Sequence, residues 1–98
     1  MSSNPVKILL VDDETGILDT LRILFRGEGY EVLTALGGEE AIGILSSERP
    51  DLVVTDIRMP GTSGLEVLAR SRETDPEIPV ILMTLMVYRL TVMTATSS

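Results

Sequence analysis

Three aspartates follow two apolar runs of the chain, at positions where carboxylates could bind a metal ion or accept a phosphoryl group. Asp12 and Asp13 come directly after the apolar residues 8–11, and Asp56 follows residues 52–55. Four residues are too few for a helix but enough for a buried strand, and Pro60-Gly61 then interrupts regular structure. Each acid is therefore predicted at the carboxyl end of a strand, the edge at which open parallel α/β sheets bind ligands.

A shared edge would bring the three carboxylates together. If the first and third strands are neighbours, as in the flavodoxin-like order, Asp12, Asp13 and Asp56 meet there. Crowded carboxylates repel one another, so the arrangement is stable only when protons or a cation relieve the charge. The chain contains no cysteine and no histidine, so any metal must be held by oxygen. A hard divalent cation such as Mg²⁺ suits an all-oxygen site and can also bridge a phosphoryl group.

A simpler interpretation exists for each acid alone. Asp12 and Asp13 could merely begin a helix, because acidic side chains are favourable at a helix amino end. Asp56 could be an ordinary turn residue. Taken singly these interpretations are the better ones, but two strands that end in acid at one edge favour a functional cluster.

Strands and helices alternate along the predicted chain. Strands are predicted over residues 6–11, 30–35, 52–55 and 79–84. Helices are predicted from Thr15 to the glycines at 27 and 29, over residues 39–47, and after a cap at Ser63. Their apolar residues at helical spacing are Ile17, Leu18, Leu21, Leu24 and Phe25, then Ala41, Ile42 and Leu45, then Leu65, Leu68 and Ala69. This order predicts parallel βαβ units with right-handed crossovers.

Length and charge limit the possible functions. Ninety-eight residues, 44% of them hydrophobic, predict one compact domain. A net charge of −7 disfavours binding to a nucleic-acid backbone, so we expect no nucleic-acid partner. The first residues lack the features of a signal peptide and no apolar stretch could span a bilayer, so we expect a cytoplasmic protein without a membrane partner.

Three motifs carry a resemblance to a known family. Residues 11–14 (Val-Asp-Asp-Glu), 56–61 with 63–68 (Asp-Ile-Arg-Met-Pro-Gly, Ser-Gly-Leu-Glu-Val-Leu) and 79–84 (Pro-Val-Ile-Leu-Met-Thr) resemble the receiver domain of bacterial two-component response regulators. The motif Asp-Ile-Arg-Met-Pro is most similar to that of the sigma-54-dependent, nitrogen-regulation type. The resemblance covers residues 6–84 and implies a flavodoxin-like doubly wound parallel sheet with strand order 2-1-3-4.

The resemblance also implies a role for each residue of the acidic edge. Asp56 would be the phosphoacceptor, phosphorylated by a sensor histidine kinase. Mg²⁺ would be bound by Asp13, Asp56 and the backbone carbonyl of Arg58, with Asp12 acting through a metal-bound water. Thr84 would be the switch hydroxyl that turns toward the phosphoryl oxygens. The implied function is phosphorelay signal transduction in transcription regulation, without enzyme activity.

The sequence departs from the family pattern after Thr84. The family continues through a fourth helix, a fifth strand that ends in Lys-Pro and a fifth helix, whereas the only lysine here is Lys7. Leu85 stands where the family usually has a small residue and is expected to crowd the phosphoryl pocket. We therefore predict a receiver-like domain over residues 1–84, truncated or frame-shifted after the fourth strand, and a tail outside the family over residues 85–98. The sheet would be incomplete, without the usual fifth strand and last helices.

The tail has an apolar pattern of its own. Met86, Tyr88, Leu90 and Val92 alternate at period two, which favours a strand. We predict that the fourth strand continues into the tail and pairs with a second copy of the chain, giving a homodimer through the tail and an uncovered sheet face. The alternative is a short helix from Met86 that uses Arg89, Leu90 and Met93.

Two other functions compete with phosphorylation. The chain could be a dimerisation or interaction module derived from a receiver domain and silent to phosphorylation, in which case Asp56→Asn would change nothing. An enzyme of the haloacid dehalogenase or topoisomerase-primase type would need an Asp-x-Asp pair, which neither Asp12-Asp13 nor residues 56–58 provide.

Overall fold

The computed structural model describes residues 5–85 and 90–95, which form eight elements. They are β1 (Lys7–Val11), α1 (Thr15–Gly27), β2 (Glu31–Ala35), α2 (Gly38–Glu48), β3 (Leu52–Asp56), α3 (Gly64–Thr74), β4 (Val80–Leu85) and β5 (Leu90–Ala95). The predicted alternation of strands and helices is confirmed up to β4, with element ends within a few residues of those predicted.

The strands form one sheet in the order β2-β1-β3-β4-β5. The first four are parallel, so the predicted flavodoxin-like order 2-1-3-4 is confirmed. Leu9 of β1 pairs with Leu33 of β2 on one side and with Val53 of β3 on the other. Because β1 and β3 are neighbours, the residues that follow them share one edge of the sheet.

Apolar side chains are buried on both faces of the sheet. On one face, Leu9, Val11 and Val53 pack with Ala41 of α2 and Val67 of α3. On the other, the strand residues pack with Leu18 of α1; they are Ile8, Leu10, Val32, Val54 and Met83. A strand that is buried on both faces needs a continuous apolar run, which explains why residues 8–11 contain no polar side chain.

Some of the apolar residues that recur at helical spacing do not face the core. Leu24 is 59% exposed, because it lies about 120° around the helix from the buried Leu18. Leu65 is 56% exposed and Ala69 is also exposed, whereas α3 buries Gly64, Val67 and Ser71. The close approach of Gly64 to the backbone of Asp56 in β3 fixes which side of α3 faces the sheet. Within the described residues, no helix combines the length and the apolar character needed to cross a membrane.

The tail forms a strand within its own chain. β5 pairs with β4 in antiparallel register, from Val80 with Ala95 to Leu85 with Leu90. The prediction that this strand pairs with a second copy is therefore wrong, as is the helical alternative for Leu90 and Met93. An antiparallel pair needs no crossover connection, whereas the parallel return that was considered would have needed one. The predictions for Met86, Tyr88 and Arg89 fall outside the described residues.

Among the side chains that the structure describes, those on the sheet face beneath α1 do not form the exposed apolar surface that was predicted. Val54 and Met83 are 7% and 5% exposed, and Leu52 and Ile81 are partly buried. These side chains join the apolar cluster beneath α1 instead of facing solvent. The homodimer itself stays a prediction.

Candidate functional site

The ends of β1 and β3 bring the three predicted aspartates together. Val11 pairs with Thr55, so Asp12 and Asp13 follow β1 beside Asp56, the last residue of β3. One carboxylate oxygen from each of Asp12, Asp13 and Asp56 lies within 4.8 Å of the others. The structure thus forms the acidic cluster that the sequence predicts.

Asp12 is the buried member of the cluster, with 2% of its surface exposed. Its backbone N–H donates to the carbonyl of Ala35 at 3.1 Å, and its Oδ1 accepts from the N–H of Glu14 at 2.8 Å. The pKa of Asp12 is raised from 3.8 to about 6, chiefly by burial and also by the charges of Asp56, Asp13 and Glu14. The hydrogen bond from the Glu14 N–H acts in the opposite direction and lowers this pKa. A cation at the cluster would relieve the same repulsion and favour the ionised form.

Asp56 is half-buried and held by the turn that follows it. Its Oδ1 accepts from the backbone N–H of Arg58 at 3.2 Å. The next backbone N–H, that of Ile57, donates to the carbonyl of Met83 in β4 at 2.9 Å. These bonds fix the direction in which the Asp56 carboxylate leaves the strand.

A cleft of about 340 Å³ opens beside the cluster. It is lined by Asp13, Glu14, Ile17, Asp56, Arg58 and Thr84. Thr84 follows Met83, the residue of β4 that pairs with Asp56, so the predicted switch residue and the predicted phosphoacceptor line the same space. The predicted crowding by Leu85 concerns a side chain outside the described part of the structure.

Sequence reasoning missed two residues of this cleft. Glu14 was noted only as a residue of the first motif, without a role, and Ile17 was assigned to the apolar residues of α1. Both lie where the chain passes from β1 into the first turn of α1. A signal was available, because residues in a helix that begins at the carboxyl edge of a sheet lie beside whatever binds there.

Gly64 at the start of α3 lies against the backbone of Asp56. A Cβ at Gly64 would overlap the carbonyl oxygen of Asp56 and lie 2.9 Å from the Cα of Ile57. Its own N–H donates to the carbonyl of Ile57 at 3.0 Å. The preceding residue, Ser63, accepts from the N–H of Glu66 at 3.4 Å, which confirms the predicted cap. Sequence reasoning quoted Gly64 in the motif but did not see this approach.

The donor set fits a hard divalent cation. Three carboxylates supply oxygen and negative charge, which Mg²⁺ prefers over nitrogen or sulfur ligands. Asp13 is exposed and Asp56 half-buried, so an ion there would retain access to water and to a phosphoryl group.

Comparison with known proteins identifies the family. The sequence profile described as "Response regulator receiver domain" matches residues 8–97 of the chain. The chain belongs to this family. A curated relative, sporulation initiation phosphotransferase F of Bacillus subtilis, is 46% identical over 78 residues, which cover 80% of the chain and 63% of the relative. The transcriptional regulatory protein GlrR of Escherichia coli K12 is 40% identical over 84 residues, which cover 86% of the chain and 19% of the relative.

A solved structure agrees with the receiver-domain fold. The response regulator TrrA of Thermotoga maritima, crystallised in complex with Mg²⁺-BeF, aligns with a TM-score of 0.77 and 44% identity over 84% of this chain and 71% of that one. The matched segment spans 63% and 19% of the two curated relatives, so the activities of those whole proteins are not carried over. Since the relatives include a phosphotransferase as well as transcriptional regulators, the sigma-54-dependent type stays a prediction. The predicted boundary between the receiver-like domain, residues 1–84, and the tail, residues 85–98, also stays a prediction.

Proposed function

We propose that this receiver domain accepts a phosphoryl group on Asp56 from the phosphohistidine of a sensor histidine kinase, with Mg²⁺ as cofactor. The observation that carries the proposal is the cluster of Asp12, Asp13 and Asp56, whose oxygens lie within 4.8 Å of one another beside a cleft that Thr84 also lines. The Mg²⁺-BeF complex of TrrA, a structure 44% identical to this chain, supports the choice of cation.

Four residues would hold the cation. Asp13, Asp56 and the backbone carbonyl of Arg58 would bind it directly, and Asp12 would bind it through water. When bound, the cation supplies positive charge that offsets the charge developing on the transferred phosphoryl oxygens. The raised pKa of Asp12 supports this assignment, since a buried acid among like charges gains most from a cation.

Transfer needs one nucleophile and correct positioning. An oxygen of the Asp56 carboxylate attacks the phosphorus, and the phosphorus–nitrogen bond to the kinase histidine breaks. The electron pair of that bond stays on the imidazole nitrogen, and the product on this chain is an acyl phosphate. The hydrogen bond from the Arg58 N–H orients one Asp56 oxygen and leaves the other for attack. Thr84, in the same cleft, would then donate its hydroxyl to a phosphoryl oxygen.

A second function is favoured by the position of the only lysine. Lys7 Nζ lies 3.5 Å from Glu48 Oε1 and donates to the carbonyl of Glu48 at 3.2 Å, at the edge of the sheet opposite to Asp56. It therefore cannot hold a phosphoryl group in the cleft, as the family's lysine would. This favours an interaction module that is silent to phosphorylation; its assembly as a homodimer stays a prediction. The cytoplasmic location and the lack of enzyme activity likewise stay predictions.

Intact-mass analysis separates the two functions. The protein is incubated with Mg²⁺ and acetyl phosphate, a small acyl phosphate, beside Asp56→Asn and the matched control Asp19→Asn, which alters an exposed acid of α1. One added phosphoryl group in the wild type and in Asp19→Asn, absent from Asp56→Asn, is the expected result. An unmodified wild type that still binds Mg²⁺ would contradict the phosphoacceptor and favour the silent module.

A further inference from the structure

The loop between β3 and α3, residues 57–63, is fixed to the fold at both ends. At the first end the Ile57 N–H donates to the carbonyl of Met83, and at the second the Gly64 N–H donates to the carbonyl of Ile57. Arg58, whose carbonyl is a proposed cation ligand, lies between these anchors. The place of that carbonyl therefore depends on how the loop is held.

The far side of the loop is held by α2. Thr62 Oγ1 donates a hydrogen bond to Glu39 Oε2 at 2.8 Å, across 23 residues of sequence. Gly38 makes room for this approach, because a Cβ there would lie 2.5 Å from Cγ2 and 2.6 Å from the carbonyl oxygen of Thr62. A hydrogen bond and a steric fit thus independently place Thr62 on the first turn of α2. We refer to the bond as the Glu39–Thr62 contact.

Helix α2 is a rigid support for this contact. The N–H of Leu36, just after β2, donates to Glu40 Oε1 at 2.9 Å and fixes the start of the helix. Ala41 and Leu45 on the opposite side are each 0% exposed in the core. A residue carried by α2 therefore holds a fixed place relative to the strand ends that bear the aspartates.

We propose that Glu39 and Thr62 are positioning residues for the cation. The hydrogen bond between them holds the β3–α3 loop, and with it the Arg58 carbonyl, in the place that binding at Asp13 and Asp56 requires. Ligands are oriented by the groups that support them, and loss of such a group weakens metal binding without removing a ligand. This inference rests on the proposed function, which supplies the cation.

Magnesium titration by calorimetry tests the proposal. Thr62→Val keeps the shape of the side chain but removes the hydroxyl, and we expect the affinity for Mg²⁺ to fall about threefold to tenfold. Thr62→Ser keeps the hydroxyl and Glu39→Gln keeps an acceptor oxygen, so both should bind within about twofold of the wild type. Thr74→Val is the matched control, because it removes a hydroxyl that donates to the Arg70 carbonyl at 3.0 Å within α3.

Deuterium exchange without Mg²⁺ gives a second readout. In the peptide that covers residues 57–66, the backbone amides should exchange faster in Thr62→Val than in the wild type. Their exchange in Thr74→Val should equal that of the wild type. Wild-type affinity in Thr62→Val, or an equal loss in Thr74→Val, would overturn the positioning role and leave the proposed function standing. A wild-type chain that binds no Mg²⁺ would overturn both.

Discussion

The buried carboxyl group of Asp12 makes the stability of the fold depend on pH. Its pKa is raised from 3.8 to about 6 by burial, so the folded state holds a proton there that the unfolded state releases. Between these two values the native state binds more protons than the unfolded state. The free energy of unfolding therefore falls as the pH rises through this window, and the loss is complete above about pH 6.

The size of this effect follows from the shift. Each pKa unit corresponds to about 1.4 kcal/mol, so the shift of Asp12 costs the fold at most about 3 kcal/mol at neutral pH. Asp12→Asn removes the ionisation but keeps an oxygen that can accept from the Glu14 N–H, the 2.8 Å bond of the wild type. The variant should gain stability relative to the wild type by up to about 3 kcal/mol between pH 4 and pH 7.

Urea unfolding in metal-free buffer at several pH values measures this difference. Other carboxylates titrate in both proteins, so the gap between variant and wild type isolates Asp12. Asp19→Asn, which removes a carboxyl group at an exposed site of α1, is the matched control. A gap for Asp12→Asn that stays constant from pH 4 to 7, or that narrows, would refute the assignment of a raised pKa to this residue.

Four further substitutions test the packing. Gly64→Ala should destabilise the fold by about 1–3 kcal/mol, because the new Cβ would overlap the Asp56 carbonyl. Gly43→Ala in α2, where a Cβ would have no atom within 4 Å, should stabilise the fold by about 0.5–1 kcal/mol. Urea unfolding measures both changes, and equal effects would contradict the close approach of Gly64 to Asp56. Ser71→Ala should raise the unfolding free energy by about 1 kcal/mol, since Ser71 Oγ is buried without a hydrogen-bond partner in the part of the chain that the structure describes; a loss of stability would show that the hydroxyl is bonded. Leu24→Gln should change the free energy of unfolding by less than about 0.5 kcal/mol, because the Leu24 side chain is 59% exposed. A large loss of stability on thermal unfolding would show that Leu24 packs in the core.

Local patterns predicted the parallel part of the fold and the acidic cluster. Apolar runs of strand length that end in Asp12 and Asp56 indicate both the strands and the edge at which they stop, so the cluster follows once β1 and β3 are neighbours. The pattern over Leu90 and Val92 likewise predicted a strand. Its partner was wrong, because alternation shows that a strand exists without showing which strand it joins.

The features that sequence reasoning missed depend on distances between remote residues. Thr62 and Glu39 are 23 positions apart, and neither residue type indicates a partner. Gly64 is crowded by the carbonyl of Asp56, which no periodicity reveals. The raised pKa of Asp12 comes from depth of burial, whereas its neighbour Asp13 is exposed. Adjacent identical residues can thus differ in burial, which the sequence alone does not show.

The antiparallel strand β5 limits how Thr84 can move. β4 is hydrogen-bonded to β3 on one side and to β5 on the other, and Thr84 itself pairs with Thr91. A shift of the β4 backbone would break ladder hydrogen bonds on both sides, whereas rotation about the Cα–Cβ bond of Thr84 breaks none of them. The hydroxyl can thus change direction at the cost of one rotamer change, and the strand that carries it stays still.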